Sequence, residues 1–412
     1  MRGKGVEMSQ FVRNRFSEYY GRLSSGFQPP SALKEREFGF LLQERQVMIR
    51  HRKFQSATEL RAALSTIVPL NAFYSSAYYE RPDAEMDKKG WLGADLVFDI
   101  DADHIDTSCG KVHDSWSCID CGFSGRGICP ETCPSCAQSR FTSETWVCEE
   151  CLDTAKNEAL KLIDMLKDDF GFASTDLKPY FSGHRGYHVH IENEVIRGLN
   201  SLARKEIVDY ITGLGMNPES RGILDTSRHG IAIAPDFPAK ATANWRKRVI
   251  DGIQKLLKGD LKELEHISLS RKAIGFLEKN KENLLQEKWI PIKGVGKKNW
   301  QKIIQWIIEH ESARIDTVVT TDIHRLIRLG GSLHGKTGFL KTEVTVTGLG
   351  RFDPLKDAIA FKEGQADVRI RKAPKFRIGD TYYGPYKKET EAELPTAAAL
   401  FLICRGAARI VD

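Results

Sequence analysis

The sequence predicts a mixed α/β (α+β) chain that carries an embedded zinc-binding module and an inserted helical subdomain. Three observations predict it. Strand-like segments lie on both sides of a block rich in Lys, Leu and Ile that reads as helical, so the block is expected to be inserted into a mixed core. Eight of the nine cysteines fall between Cys109 and Cys151, three times as Cys-x-x-Cys, a pattern that points to metal rather than disulfides. The 412 residues are also too many for one compact core, so two or three subdomains are expected. Apolar residues at 41% and charged residues at 28% exclude a disordered or collagen-like chain. The longest apolar run, Ala397 to Cys404, is far short of the roughly 18–20 residues of a bilayer span. The N-terminal segment MRGKGVEMSQF has no apolar signal region. A soluble, cytoplasmic protein with no membrane partner is the expectation. The net charge of +6 permits a polyanionic partner without requiring one.

Taken in order, the first 35 residues suit a helix carrying Phe11, Arg13, Arg15, Tyr19 and Tyr20, ended by Pro29-Pro30. Glu37 to Phe54 alternates loosely and reads as one or two strands, with Arg50 near the end. Asp95 to His104 reads as a strand, and a helix is expected from about Leu152 to Lys167, with Gly171 marking its end. Pro179 to Glu192 reads as strand–turn–strand, and Ile223 to Pro235 contains another strand-like run. Pro238 to His310 is the helical block, interrupted at Trp289-Ile290-Pro291 and at Gly294-Val295-Gly296. Its last helix presents Trp300, Ile303, Ile304 and Ile307 at core spacing. Strand-like segments are expected from Asp316 to the end. The organisation expected is a catalytic core in three parts (1–108, 152–237 and 311–412), a metal module at 109–151 and the helical subdomain at 238–310.

The window LVFDIDADH concentrates the chemistry. In a strand, Leu96, Phe98, Ile100 and Ala102 share one face, and Asp99 and Asp101 project together from the other. Two carboxylates so close repel unless a cation lies between them, and oxygen ligands suit Mg2+ or Mn2+. Such pairs hold the ions of phosphoryl transfer. A charged edge strand and the metal-holding pair of a nucleotide-sugar glycosyltransferase are the competing readings.

The pairs Cys118/Cys121, Cys133/Cys136 and Cys148/Cys151 have the spacing of zinc knuckles, and Cys109/His113 offers a looser pair. The preferred assignment nests them. Cys118, Cys121, Cys133 and Cys136 form an inner ribbon, and Cys109, His113, Cys148 and Cys151 an outer site; Cys129 is spare, although it could replace Cys133. Between Phe181 and His190, three histidines, Arg185 and Ser182 surround two glycines. Glycines let backbone approach an anion, and Ser182, Arg185 and His188 can donate to a triphosphate. A further zinc site or a plain surface hairpin competes with that reading. A second basic segment, Asp316 to Gly338, contains Arg325, Arg328, His334 and Lys336.

A strand ending in Asp-x-Asp, a Cys/His knuckle, a Ser-Gly-x-Arg-Gly-x-His loop and a late Asp followed by Ser-x-His-x-Lys-Thr-Gly occur here in that order. Together they resemble the small, catalytic subunit of archaeal and eukaryotic DNA primase, the archaeal form more closely, from about Glu37 to Gly338. The resemblance implies the primase catalytic fold. It makes Asp99, Asp101 and Asp316 the catalytic carboxylates for Mg2+ or Mn2+, with Asp322 close by. It also implies that Ser182, Arg185 and His188 grip the triphosphate, and that Arg50, Arg328 and His334 make further nucleotide contacts. The family's knuckle matches Cys109, His113, Cys148 and Cys151, so the 34 residues Asp114 to Val147 are an insertion with their own cysteines. The function implied is template-directed synthesis of short primers on single-stranded DNA from nucleoside triphosphates, as a nucleotidyltransferase paired with a large primase subunit. A zinc-containing single-strand-binding subunit without catalysis, or a glycosyltransferase, are the alternatives.

Overall fold

A computed structural model describes residues 10–23, 27–43, 47–216, 244–286, 292 and 294–411. The chain divides into two units. The first comprises Met1–Leu160, Thr175–Arg204 and Ile315–Asp412, and the second Lys161–Ser174 and Lys205–Arg314. The mixed α/β class predicted from the sequence is the class observed.

Two four-stranded antiparallel sheets build the first unit's site. In one, Leu326–Arg328 pairs with Asn71–Ser75, which pairs with Phe38–Leu41 and then Met48–Arg52. In the other, Thr342–Glu343 pairs with Leu177–Phe181, then Gly186–Ile191, with Leu96–Asp101 at the edge. The acidic strand Leu96–Asp101 buries Leu96, Phe98 and Ile100 and leaves Asp99 and Asp101 half-buried on the other face, as period-two alternation requires. It ends at Asp101, earlier than the expected His104, because Asp101 caps the short turn Ala102–His104 through its carboxylate.

The N-terminal helix Gln10–Gly21 buries Val12, Phe16 and Tyr20, four residues apart on one face. It stops at Gly21, well before Pro29-Pro30, where a residue of poor helix propensity coincides with the end of that apolar stripe. Its Tyr19 hydroxyl donates to the Gly331 carbonyl at 2.6 Å, and its Tyr20 hydroxyl accepts from the Leu333 amide at 3.2 Å.

Two segments expected to be strands are helical. Thr317–Thr321 is rich in β-branched residues, yet Asp316 caps it by accepting from the amides of Val318 and Val319, and local capping overrides propensity. Thr396–Cys404 is a helix buried almost all round, so its apolar run carries no period that separates helix from strand. It packs with the sheet of Gln365–Ile370, Thr390–Pro395 and Ala408–Ile410.

In the insertion, Ser115–Cys118 pairs with Ser124–Arg126 and Phe141–Glu144 around the buried ring of Trp116, with Phe123 and Phe141 beside it. The following helix begins at Glu149 rather than near Leu152, so Cys148 and Cys151 lie at its start.

The second unit is helical among its described residues, including Asn244–Lys258, Arg271–Lys279 and Lys297–Glu311. Gly296 precedes the last of these, which buries Trp300, Ile303, Ile304 and Ile307. The expected run Ile223–Pro235 and the interruption at Trp289-Ile290-Pro291 lie outside the described residues.

Candidate active site and metal centres

Register brings the two chemical strands together. In the antiparallel pair, His188 lies opposite Asp99 and Gly186 opposite Asp101. The Asp316 amide donates to the Asp99 carbonyl at 2.8 Å, so the third expected carboxylate caps its helix beside the acidic strand. Burial, and then the charges of Asp101 and Asp316, push the Asp99 carboxyl up to about 7. The negative field at Asp99 is therefore supplied by burial together with two further carboxylates.

A cavity of about 190 Å³ opens on these groups. Asp99, Asp101, Ser182, His188, Arg328 and His334 all line it, joined by His184 and Arg325. Ser182, His334 and Arg328 are each held by hydrogen bonds. The Ser182 oxygen accepts from the amides of His184 and Gly186, at 3.3 and 3.2 Å, which leaves its own proton for donation. His334 Nδ1 accepts from the Lys336 amide at 3.1 Å, so the neutral ring carries its proton on Nε2. Burial keeps both His334 and His184 well below the ordinary imidazole range. Arg328 donates to Asn71 and lies over the Phe73 ring; burial lowers it to about 10, so it remains a cation at neutral pH.

Sequence reasoning missed Lys341. Its Nζ lies 3.3 Å from His188 Nδ1 and 3.3 Å from His190 Nε2, and donates to the Arg328 carbonyl at 2.8 Å; burial pushes this amine well below the ordinary lysine range. Donation to His188 Nδ1 leaves the proton on Nε2, which is 3.4 Å from an Asp99 oxygen. A buried lysine two strands away gives no local signal; only the sheet order Thr342–Glu343, Leu177–Phe181, Gly186–Ile191 brings it there.

Two expected nucleotide contacts are engaged elsewhere. Arg185 is fully buried and directs its guanidinium at Asp103 (2.7 Å), Asp114 (2.9 Å) and the Cys151 sulfur (3.4 Å). Arg50 donates through two nitrogens to the buried carboxylate of Glu37, at 3.0 and 3.3 Å. Neither lines the cavity.

Glycines set the loop between the strands. A Cβ on Gly186 would collide with the Ile100 carbonyl of the acidic strand. Gly183, at a φ of +84°, lies so close to His334 that a Cβ would come within 2.9 Å of it.

The cysteines gather in two sets. Cys109, His113, Cys148 and Cys151 offer ligand atoms within 4.8 Å of one another, and so do Cys118, Cys121, Cys133 and Cys136. Cys133, not Cys129, belongs to the second set. In the first, Asp114 accepts a hydrogen bond from His113 Nδ1 at 2.7 Å and turns Nε2 toward Cys148 and Cys151, at 3.3 and 3.4 Å. That is how a carboxylate prepares an imidazole for a metal. Both sets can hold a metal ion.

The model of the DNA primase small subunit family matches residues 131–346. The chain is 37% identical to the DNA primase small subunit of Archaeoglobus fulgidus over 96% of its length and 97% of that protein's. It is 33% identical to that of Methanothrix thermoacetophila, over 98% of both chains. The chain belongs to the DNA primase small subunit family. The primase family model takes in the Ser182–His188 loop and Asp316 but begins beyond the acidic strand, which the near full-length similarity to other primase small subunits covers. No described helix of this primase subunit is long and apolar enough to cross a membrane.

Proposed function

We propose that this chain is a catalytic primase subunit that joins nucleotides on a single-stranded DNA template. The observation that carries the reading is one cavity lined by Asp99, Asp101 and a set of anion donors, with Asp316 hydrogen-bonded to the same strand. Asp99, Asp101 and Asp316 would hold divalent cations, Mg2+ or Mn2+. When bound, these supply the charge that acidifies a primer 3′-hydroxyl and neutralises the departing pyrophosphate. The 3′-oxygen forms a bond to the α-phosphorus as the bond from that phosphorus to the bridging oxygen breaks, and pyrophosphate leaves. The protein's own part is positioning and charge. His188 donates toward Asp99 and keeps its carboxylate aligned. Ser182, Arg328 and His334 donate to the triphosphate. Arg185 and Arg50 act at one remove, Arg185 by tying the acidic turn to Asp114 and Arg50 by holding Glu37.

Zinc is the ion we assign to both cysteine sets. Sulfurs at 3.6 Å in the pairs Cys118–Cys136 and Cys121–Cys133 fit the edge of about 3.8 Å expected of a tetrahedron with Zn–S near 2.3 Å. Both sites support structure rather than catalysis, because cysteine-rich sites are usually closed. A large primase subunit is the partner we infer. Binding single strands alone requires no acidic cluster, and a sugar transferase gives no account of the histidine and arginine donors around it.

The test incubates the chain with its large subunit, single-stranded DNA, nucleotides and Mg2+ or Mn2+. De novo oligonucleotides are expected from wild type, and Asp101→Asn should lose roughly 100-fold or more of the rate, the scale of removing an electrostatic catalytic element. An Asp101→Asn protein as active as wild type would refute the mechanism.

A further inference from the structure

We propose that Asp101, Asp103 and His184 form a further cation site, one that favours a transition-metal dication such as Mn2+ over Mg2+. It rests on reading Asp101 as a cation-holding carboxylate, and adds ligands that the Asp99–Asp101–Asp316 set lacks.

The chain makes the site by turning sharply after the acidic strand. The Asp103 amide donates to an Asp101 oxygen at 2.9 Å, and the turn Ala102–His104 brings the second carboxylate back beside the first. His184 enters from the facing loop, whose Gly186 is in register with Asp101. One ligand atom from each of the three residues lies within 4.8 Å of the others.

The second observation concerns His184 itself. It is 7% exposed, its ring is stacked on His334 with centroids 5.0 Å apart, and its Nε2 has no hydrogen-bond partner among the described residues. A buried, unpaired polar atom in a native fold calls for an explanation, and a bound ion beside two carboxylates supplies one. Asp103 is only partly satisfied as well. Its Oδ1 is paired by charge with Arg185 at 2.7 Å but makes no well-aligned hydrogen bond among the described residues.

The chemistry of the trio identifies the ligand class. A phosphate oxygen placed here would meet two carboxylates and be repelled. A dication meets two oxygens and an imidazole nitrogen. Mg2+ prefers oxygen ligands and retained water, whereas an imidazole shifts selectivity toward first-row transition metals. His184 is stacked on His334, and Asp103 is in contact with Arg185, so two of the three ligands are packed against neighbouring side chains.

The experiment uses the full chain titrated with Mn2+, without nucleotide or DNA, and pulsed electron paramagnetic resonance to detect directly bound imidazole nitrogen. Nitrogen coupling is expected in wild type and in His188→Gln, and is expected to vanish in His184→Gln. Asp103→Asn should weaken Mn2+ binding roughly tenfold or more, at least the effect of losing an outer partner of a metal ligand. No Mn2+ binding, bound Mn2+ without nitrogen coupling, or coupling that survives in His184→Gln but is lost in His188→Gln would each overturn the site. The wild-type spectrum alone can do so, which covers a variant that fails to fold. Asp316→Asn separates the two readings: it should abolish oligonucleotide synthesis while keeping the nitrogen coupling. If that variant stays active, the catalytic assignment fails and this site does not.

Discussion

Asp99 is crowded by its own kind. Burial and two neighbouring carboxylates raise its pKa from the ordinary carboxylate range to about 7, while Lys341 and Arg325 pull the other way. Protons and cations therefore compete for the same oxygens. A raised carboxylate pKa means that the folded protein holds the proton more tightly than the unfolded chain. Its stabilising effect is full below the unfolded value and is lost as pH rises through about 7. In metal-free protein, Asp99→Asn should raise the melting temperature, with a gain that grows from pH 4 to pH 8. Thermal melts at stepped pH check this, and a gain that shrinks with pH would contradict the crowding. Divalent cations should remove most of the wild-type deficit, because they stabilise the charged form. The alternation of LVFDID made this pair legible in the sequence. The position of Asp316 beside it was not legible from spacing, because a backbone hydrogen bond across more than two hundred residues forms it.

At the scale of elements, Arg185 joins two that the sequence treats separately. Its guanidinium bridges Asp103, at the end of the acidic strand, and Asp114, whose other oxygen orients His113 in the outer cysteine set. Short-range reading saw an arginine in a glycine-rich loop and assigned it to phosphate. In the free protein that arginine is 0% exposed and paired with two carboxylates. Asp114→Asn leaves His113 without a strong acceptor for its Nδ1 proton. The outer site should then lose metal roughly 10–100-fold more readily, as other outer-partner substitutions do. Chelator competition measures it, and an unchanged affinity would remove Asp114 from the outer site's support. Helix start and strand end also belong here. The cap by Asp316 overrode β-propensity at Thr317–Thr321, and the turn capped by Asp101 ended the acidic strand before Ala102–His104.

For the whole molecule, the two cysteine sets predict about two zincs per chain by metal analysis. Replacing Cys118 and Cys121 together with Ser should remove one of them and leave oligonucleotide synthesis largely intact. Loss of both metals, or of all activity, would show that the insertion Asp114–Val147 is not an accessory. The ordered motifs were enough to read the family from the sequence, and near full-length relatives at 33–37% identity support it. Local pattern was sufficient because Cys-x-x-Cys, Asp-x-Asp and glycine-rich loops act over a few residues, where chain stiffness alone sets geometry.

The sequence by itself therefore determined the mixed α/β class, the carboxylate pair on one strand face and the clustering of the cysteines. Each follows from short-range periodicity or spacing, which survives without knowledge of the fold. Tertiary structure alone decided that His184, Lys341 and Arg325 gather around Asp99 and Asp101, and that Arg185 and Arg50 are held by carboxylates. Those outcomes depend on strand register and burial between distant segments, and register is set by the packing of both sheet faces, which no local window contains.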